Sequence, residues 1–587
     1  ANAVVERDTL INNQYNGIYV HTSFEKDGEI QDTIRYCTIT GNNTSNNSDY
    51  AGIVMEQYGS PVIHNNNIYD NSPYDIRNNS LYRDVDARFN WWGVTTTAEM
   101  DEGGNPKDIE KFYDYFDNNE LAQINYAGWL SSEGGDAPGV TLLGAILLTD
   151  VNGSEQLNFS SGSDLYVSVS DIDRNTDSGT LESVTVTVES ETESVAETIT
   201  LTETGVSTGI FTGSIAFSEE SVVEGDGILQ VVRGDKLTGS YTDPADDYGN
   251  ESTVTDVAYY DVTLVSDTLS SDATWALSNS PFLVTGDVTV LDDVTLTIDP
   301  GVEVRFMPGS DDQSSGSNPY SSELRVMGSL VAIGTESDSI TFVSNSEDPT
   351  DNDWYGLYLQ SPDVVHLSYV SLRHTNDVFR DGLNFDDSTD SLHIVHSSFW
   401  ASGTMFNDSY CSVSSGARAV IEDNRFIGFN RIFSDNVHLY DENTDGTLLK
   451  INRNTFVDIS RMMDHGSIRI YDVGVRVLFT NNQSDSNSRL QFSYSLDDDE
   501  ISSDFQVVIR DNQLSGDDIS LYGNDRGRFL VKGNTFDNCY VYVSNTLKTL
   551  IQDNTIQNCS GSQALYLYNA NAVVERDTLI NNQYNGI

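Results

Sequence analysis

One short pattern recurs along most of this chain and limits what it can fold into. It reads as an aliphatic residue, two variable residues, often Asn, one more residue, then an apolar one. It occurs as IEDNRF from Ile421, INRNTF from Ile451, FTNNQS from Phe479, IRDNQL from Ile509, VKGNTF from Val531, IQDNTI from Ile551 and VERDTL from Val574. It returns as IRYCTI from Ile34 and IHNNNI from Ile63, with looser forms at Leu367 and Ile394. A period of roughly 20–30 residues is that of parallel β-helix coils with insertions in the turns. Neighbouring coils stack about 4.8 Å apart, so like residues form ladders. Asn424, Asn454, Asn482, Asn512, Asn534 and Asn554 fit one such ladder. A stacked amide can donate to one coil and accept from the next, which suits a tight corner better than a ligand site.

A second repeat decides how the ends are read. Ala1–Ile18 and Ala570–Ile587 are the same eighteen residues, ANAVVERDTLINNQYNGI, 569 positions apart. The expectation is a tandem array with that period, of which this chain is one repeat plus an overlap. The lack of a leader sequence then carries no weight about export.

Charge removes several function classes. There are 91 Asp and Glu against 30 Lys and Arg, a formal charge of −61. Nucleic acid is excluded as a partner, because phosphate binding needs the opposite sign. No stretch approaches the ~20 apolar residues of a membrane helix, so no membrane insertion is expected. Helix-forming runs are scarce and β-branched residues plentiful, an all-β composition.

From Ser278 the chain reads SNSPFLVTGDVTVLDDVTLTIDPGVEVRFMPG, with DWYGLYL from Asp353. This run resembles the opening coils of large bacterial surface proteins with pectin-lyase-like right-handed parallel β-helices. ARFNWWG (Ala87–Gly93), NPKDIEKFYDYFDNNEL and INYAGWL (Ile124–Leu130) resemble their close: a last coil, a short helix and a final strand. The residues alone place that helix after Asn105, a good N-cap, with Pro106 at the first position. Ile109, Phe112, Tyr113 and Phe116 then form one apolar face that would cover the solenoid end, with Trp91, Trp92 and Trp129 packed there.

Residues 138–265 differ. Runs such as DLYVSVSD, ESVTVTVES, ETITLTET and ILQVVRGD alternate strictly, with turns every 8–15 residues. That is the pattern of an antiparallel sandwich of about seven strands. DIDRNTDSG and TLTETGVSTGIFTGSI also resemble immunoglobulin-like modules of bacterial surface proteins. The expected fold is therefore all-β: the C-terminal part of a right-handed parallel β-helix over residues 1–137, an immunoglobulin-like β-sandwich over 138–265, and the earlier coils of the next β-helix over 266–587. Short linkers fall around Ser131–Pro138 and Ser266–Ala273.

The candidate chemistry is calcium binding. Between Gly139 and Leu264 there are 23 Asp or Glu and three basic residues, Arg174, Arg233 and Lys236. Asp171, Asp173, Asn175 and Asp177 alternate after a strand, and TDPADDYGN adds Asp243, Asp246 and Asp247. If the two loops meet, they supply the six to eight oxygens a hard cation takes. Glu182 falls at the twelfth position from Asp171, as in an EF-hand, but Thr176 replaces the required Gly and strands flank the loop. The alternative is a solvated acidic surface. An enzyme of the polygalacturonase kind is also weighed. NTDG (Asn443–Gly446) and DHG (Asp464–Gly466) with Arg469 echo its acids, His and Arg. The second acid pair is missing and Arg469 follows the His too closely, so no enzyme is expected. Cys539 and Cys559 stand one coil apart and read as a buried reduced pair, with a disulfide as the alternative. The function expected is a structural repeat of a giant extracellular fibre, cell-surface filament or adhesin. Its partners would be neighbouring repeats, lateral copies of the chain or surface glycans.

Overall fold

A computed structural model describes residues 3–22, 32–134, 143–381, 384–407, 411–441, 446–463, 466–485, 489–494, 504–560 and 563–587. The fold is all-β, with long parallel sheets of the solenoid type. It divides into two compact units, Ala1–Asp261 and Val262–Ile587.

In the second unit, described strands line up in parallel sheets of 25 and 12 strands. The register is strict. Leu392 pairs with Ala419, Ala419 with Leu449, Leu449 with Val477, and Val477 with Val507. Because side chains alternate across a strand, every second residue of each coil faces the interior. That interior carries aromatic ladders: Phe399, Phe426 and Phe456 stack with ring centroids 5.6 and 5.1 Å apart. Thr263–Leu269, which follows directly on the alternating run of the preceding residues, already pairs in parallel with Phe282–Val290.

The asparagine ladder is present. Asn454 Oδ1 accepts the backbone N–H of Asn424 at 3.0 Å and its side-chain N–H at 3.1 Å. Asn454 in turn donates its N–H and Nδ2 to Asn482 Oδ1, and Nδ2 also reaches the Ile421 carbonyl. The same bonds run through Asn512 and Asn534 to Asn554, which donates to Asp577 Oδ1. All six Asn residues are buried. The residue before each one turns the corner with positive φ: Asp423, Arg453, Asn481, Asp511, Gly533 and Asp553. At Gly533 a Cβ would lie 2.5 Å from Asp511 Oδ1, so a side chain there would require the Asp511 carboxylate to turn aside.

The first unit holds a shorter parallel stack. Val4–Glu6, Thr33–Arg35, Val62–His64, Val85–Asp86 and Ile124–Asn125 form one sheet in that order. A second amide ladder runs from Asn13 to Asn42 to Asn71 and ends on Asp75. The helix that closes this stack is not the expected one. It spans Gly93–Asp101, while Phe112–Tyr113 is a short strand pairing with Ile76–Arg77. Asn105 does not start a helix; its Nδ2 donates to the Met100 carbonyl, just past the end of the real one. Ile109 and Phe112 still reach the core, from a turn and an edge strand. Trp92 is buried and meets Phe112 edge-on at 4.6 Å, as a cap requires. Trp129 packs on Tyr126 and donates to Asp101.

The rest of the first unit is a nine-stranded, mainly antiparallel body. Its strands alternate inward and outward as the sequence suggests; Lys236–Asp243 buries Leu237, Gly239, Tyr241 and Asp243. Leu148 lies over Gly239, where a Cβ would come within 2.7 Å of its side chain.

Candidate metal centre

The centre forms where two strands of the antiparallel body end. Asp164–Ser170 runs into Asp171, whose N–H donates to the Gly209 carbonyl at 2.8 Å, and a single turn of 3₁₀ helix follows over Ile172–Arg174. On the other side, Asp243 is the last residue of its strand. It sits inward by the same period of two that turns Tyr241 inward.

One oxygen each from Asp171, Asp173 and Asp243 lie within 4.8 Å of one another. Asp171 is 1% exposed and Asp243 fully buried. Tyr241 donates its hydroxyl to Asp171 Oδ2 at 2.6 Å. Asp243 Oδ2 accepts the Gly144 N–H at 2.7 Å, and its Oδ1 accepts the Ala245 N–H at 2.9 Å. Gly144 is needed at this point, because a Cβ would fall 2.7 Å from the Tyr241 ring. Asp171 Oδ1 is buried with no hydrogen-bond partner, and so is Asn175 Oδ1. A buried carboxylate oxygen left unpaired is expensive.

The electrostatics agree with the geometry. Burial pushes the Asp173 carboxyl well above the usual range; Asp171 and Asp243 push the same way, and only Arg174 opposes them. Burial, then the Asp171 carboxylate, also pushes the Tyr241 hydroxyl far up. Three carboxylates in one place with one cation nearby is an arrangement that a metal ion would relieve.

The remaining expected ligands stand elsewhere. Asp177 Oδ1 closes its own turn on the Gly179 N–H. Asp246 Oδ1 accepts the N–H groups of Tyr248 and Asn250. Asp247 Oδ1 accepts the Leu143 N–H at 3.4 Å. Glu182 takes the amides of Thr176 and Asp177, so it organises the loop rather than completing an EF-hand. Tyr241 and Gly144 were not foreseen. Tyr241 was within reach, being two residues before Asp243 on an alternating strand.

A second group, Asp292, Asp293 and Asp363, lies in the other unit; Asp292 and Asp293 are exposed and none of the three has a buried unpaired oxygen. Of the enzyme motifs, Asn443–Asp445 and Asp464–His465 lie outside the described residues. Arg469 donates to Ser467. All four cysteines are buried and none is in a disulfide, and the Cys559 thiol donates to the Cys539 carbonyl. Among the described residues no helix is long and apolar enough to cross a membrane. No protein-family model matches the chain, and no curated protein matches it.

Proposed function

We propose that this chain is one repeat of a tandem array, a structural segment of an extracellular filament or surface adhesin rather than an enzyme. One observation carries the reading. The two copies of the eighteen-residue segment form the same coil, with strands at Val4–Glu6 and Thr9–Ile11 in one and Ala572–Glu575 and Thr578–Ile580 in the other. The first pairs with the coil that follows it and the second with the coil before it. An array merges the two copies into one coil paired on both edges. Within that array we read the parallel stack as a right-handed β-helix and the antiparallel body as immunoglobulin-like. The test is a chain carrying residues 1–569 followed by residues 1–587, which holds one internal and two terminal copies of the segment. Hydrogen exchange in its internal VERDTL coil should be slower than in either terminal copy. Equal exchange in all copies would refute the array.

We further infer that the ion suited to Asp171, Asp173 and Asp243 is calcium. The donors are all oxygen, mostly carboxylate, and the unpaired Asp171 Oδ1 supports a ligand there. Calorimetry at matched ionic strength should give calcium binding that Asp171→Asn with Asp173→Asn abolishes. No heat with the parent chain would remove this reading.

A further inference from the structure

We infer that the cation at Asp171, Asp173 and Asp243 locks the joint between the closing coil of the solenoid and the antiparallel body within residues 1–261. The inference rests on the calcium reading and names what the ion controls.

The device is the loop between the strands Lys236–Asp243 and Ser252–Tyr260. The residue that leads into it, Asp243, belongs to the cation group. Its middle is a tight turn: Asp246 donates its N–H to the Asn250 carbonyl, and its side chain holds the amides of Tyr248 and Asn250. Its outer side touches the solenoid. The Tyr248 hydroxyl donates to Asn125 Oδ1 at 2.8 Å, and its ring meets Tyr126 edge-on at 5.3 Å. Asn250 donates its side-chain N–H to the Asn105 carbonyl. Asn105 accepts the Tyr126 hydroxyl, so both contacts end on one small network.

The chain entering the body is held at the same place. Gly144 donates to Asp243 and Leu143 to Asp247. One carboxylate, Asp243, therefore fastens the start of the body and the loop that reaches the solenoid. With the ion present, its charge offsets the repulsion among the three carboxylates and keeps Asp243 in place. Without it, that repulsion acts on the residue that anchors the loop, and the contacts of Tyr248 and Asn250 loosen with it. Linkage makes the effect reciprocal: if calcium favours the docked loop, docking must raise calcium affinity by the same factor.

The experiment uses the full chain with Leu81→Cys and Val195→Cys, both exposed positions, for spin labels; the four native cysteines are buried. Distances are read by double electron–electron resonance, and calcium binding by calorimetry. Calcium should give one narrow distribution, and chelator a long-distance tail. Asp171→Asn with Asp173→Asn should show the tail in both conditions. Tyr248→Ala with Asn250→Ala should keep the tail in calcium while still binding the ion, about fivefold more weakly. If the parent chain binds no calcium, the calcium reading fails and the joint with it. If it binds calcium and the distribution does not change, or if the Tyr248→Ala, Asn250→Ala chain narrows like the parent, the joint inference alone is overturned.

Discussion

Arg7 and Arg576 turn the same corner: φ is 60° at one and 59° at the other, in two copies of one sequence 569 residues apart. Their backbone bonds are complementary. Arg7, Asn12 and Gly17 donate their N–H groups to the coil that follows. In the second copy it is Thr578 and Gln583 that donate, to the coil before. Residue-resolved hydrogen exchange on this chain should therefore give mirror-image protection. Arg7, Asn12 and Gly17 should exchange slowly and Arg576, Asn581 and Gly586 fast. Thr578 and Gln583 should exchange slowly and Thr9 and Gln14 fast. Matching rates in the two copies would show that pairing does not set protection here.

The ladder can be weighed at its centre. Asn482 accepts two bonds from Asn454 and donates to Asn512 and to the Ile451 carbonyl. Asn482→Ala leaves buried donors on Asn454 without an acceptor. Each unsatisfied buried group costs about 1–3 kcal/mol, so a loss of about 3 kcal/mol is expected. The check is the denaturant midpoint of the solenoid transition, read from its β-sheet circular dichroism.

Asp75 ends the other ladder, and its burial gives a pH signature. Its Oδ1 accepts both N–H groups of Asn71, while its Oδ2 is buried without a partner. Burial pushes its carboxyl up to about 7, against the pull of Asn71 and Lys111. The folded value lies above the unfolded one. The contribution is therefore full below about pH 4 and is lost as pH rises to about 7. Asp75→Asn keeps an acceptor for Asn71 and removes the titration. It should flatten the fall in stability between those pH values, with a gain above pH 7 of up to about 4 kcal/mol. A melting-temperature series across this range checks it; an unchanged slope would mean that Asp75 is already ionised.

Calcium binding should weaken on acidification. The raised Asp173 carboxyl must lose its proton to become a ligand, so binding releases protons. Burial lifts that carboxyl to about 6, so calorimetry at about pH 6 in two buffers of different ionisation enthalpy should reveal the release. Affinity at about pH 5 should be lower, whereas binding through exposed carboxylates alone would change little between the two.

The buried thiol at Cys559 should resist alkylation. Burial pushes it up to about 11. At about pH 9 the folded chain should leave it unmodified by iodoacetamide, and unfolding in urea should expose it. Rapid labelling of the native chain would contradict the packing against Cys539.

The coils were legible because each repeats a local rule, an apolar pair around a corner and an Asn that serves two neighbours. The closing helix was not. Gly93–Asp101 buries one large apolar side chain, Met100, beside Thr96 and Thr97, so it carries no apolar stripe to read. The periodic residues after Asn105 instead follow the shape of the coil end, where Phe112 joins a strand. At the candidate metal centre, local alternation gave Asp243 its inward direction. Nothing local tells that Asp171, over seventy residues earlier, ends its strand at the same point. Asp177, Asp246 and Asp247 share the composition of the site, but each is spent on a turn or a backbone amide within its own loop or at the start of the body.

Along the Asn ladder each residue gives its backbone N–H and one amide hydrogen to the side-chain oxygen of the next rung, sends its other amide hydrogen back to a carbonyl of the coil before, and receives the preceding rung's hydrogens on one oxygen. The stack is therefore a row of aligned amide dipoles with unlike ends, one offering donors and the other acceptors. Two such stacks meeting donor end to donor end would set Asn N–H against Asn N–H, with no side-chain oxygen of the ladder placed to accept them. The asparagines thus impose an arrow on growth: a further coil can be added to a matching end, and a reversed one is refused.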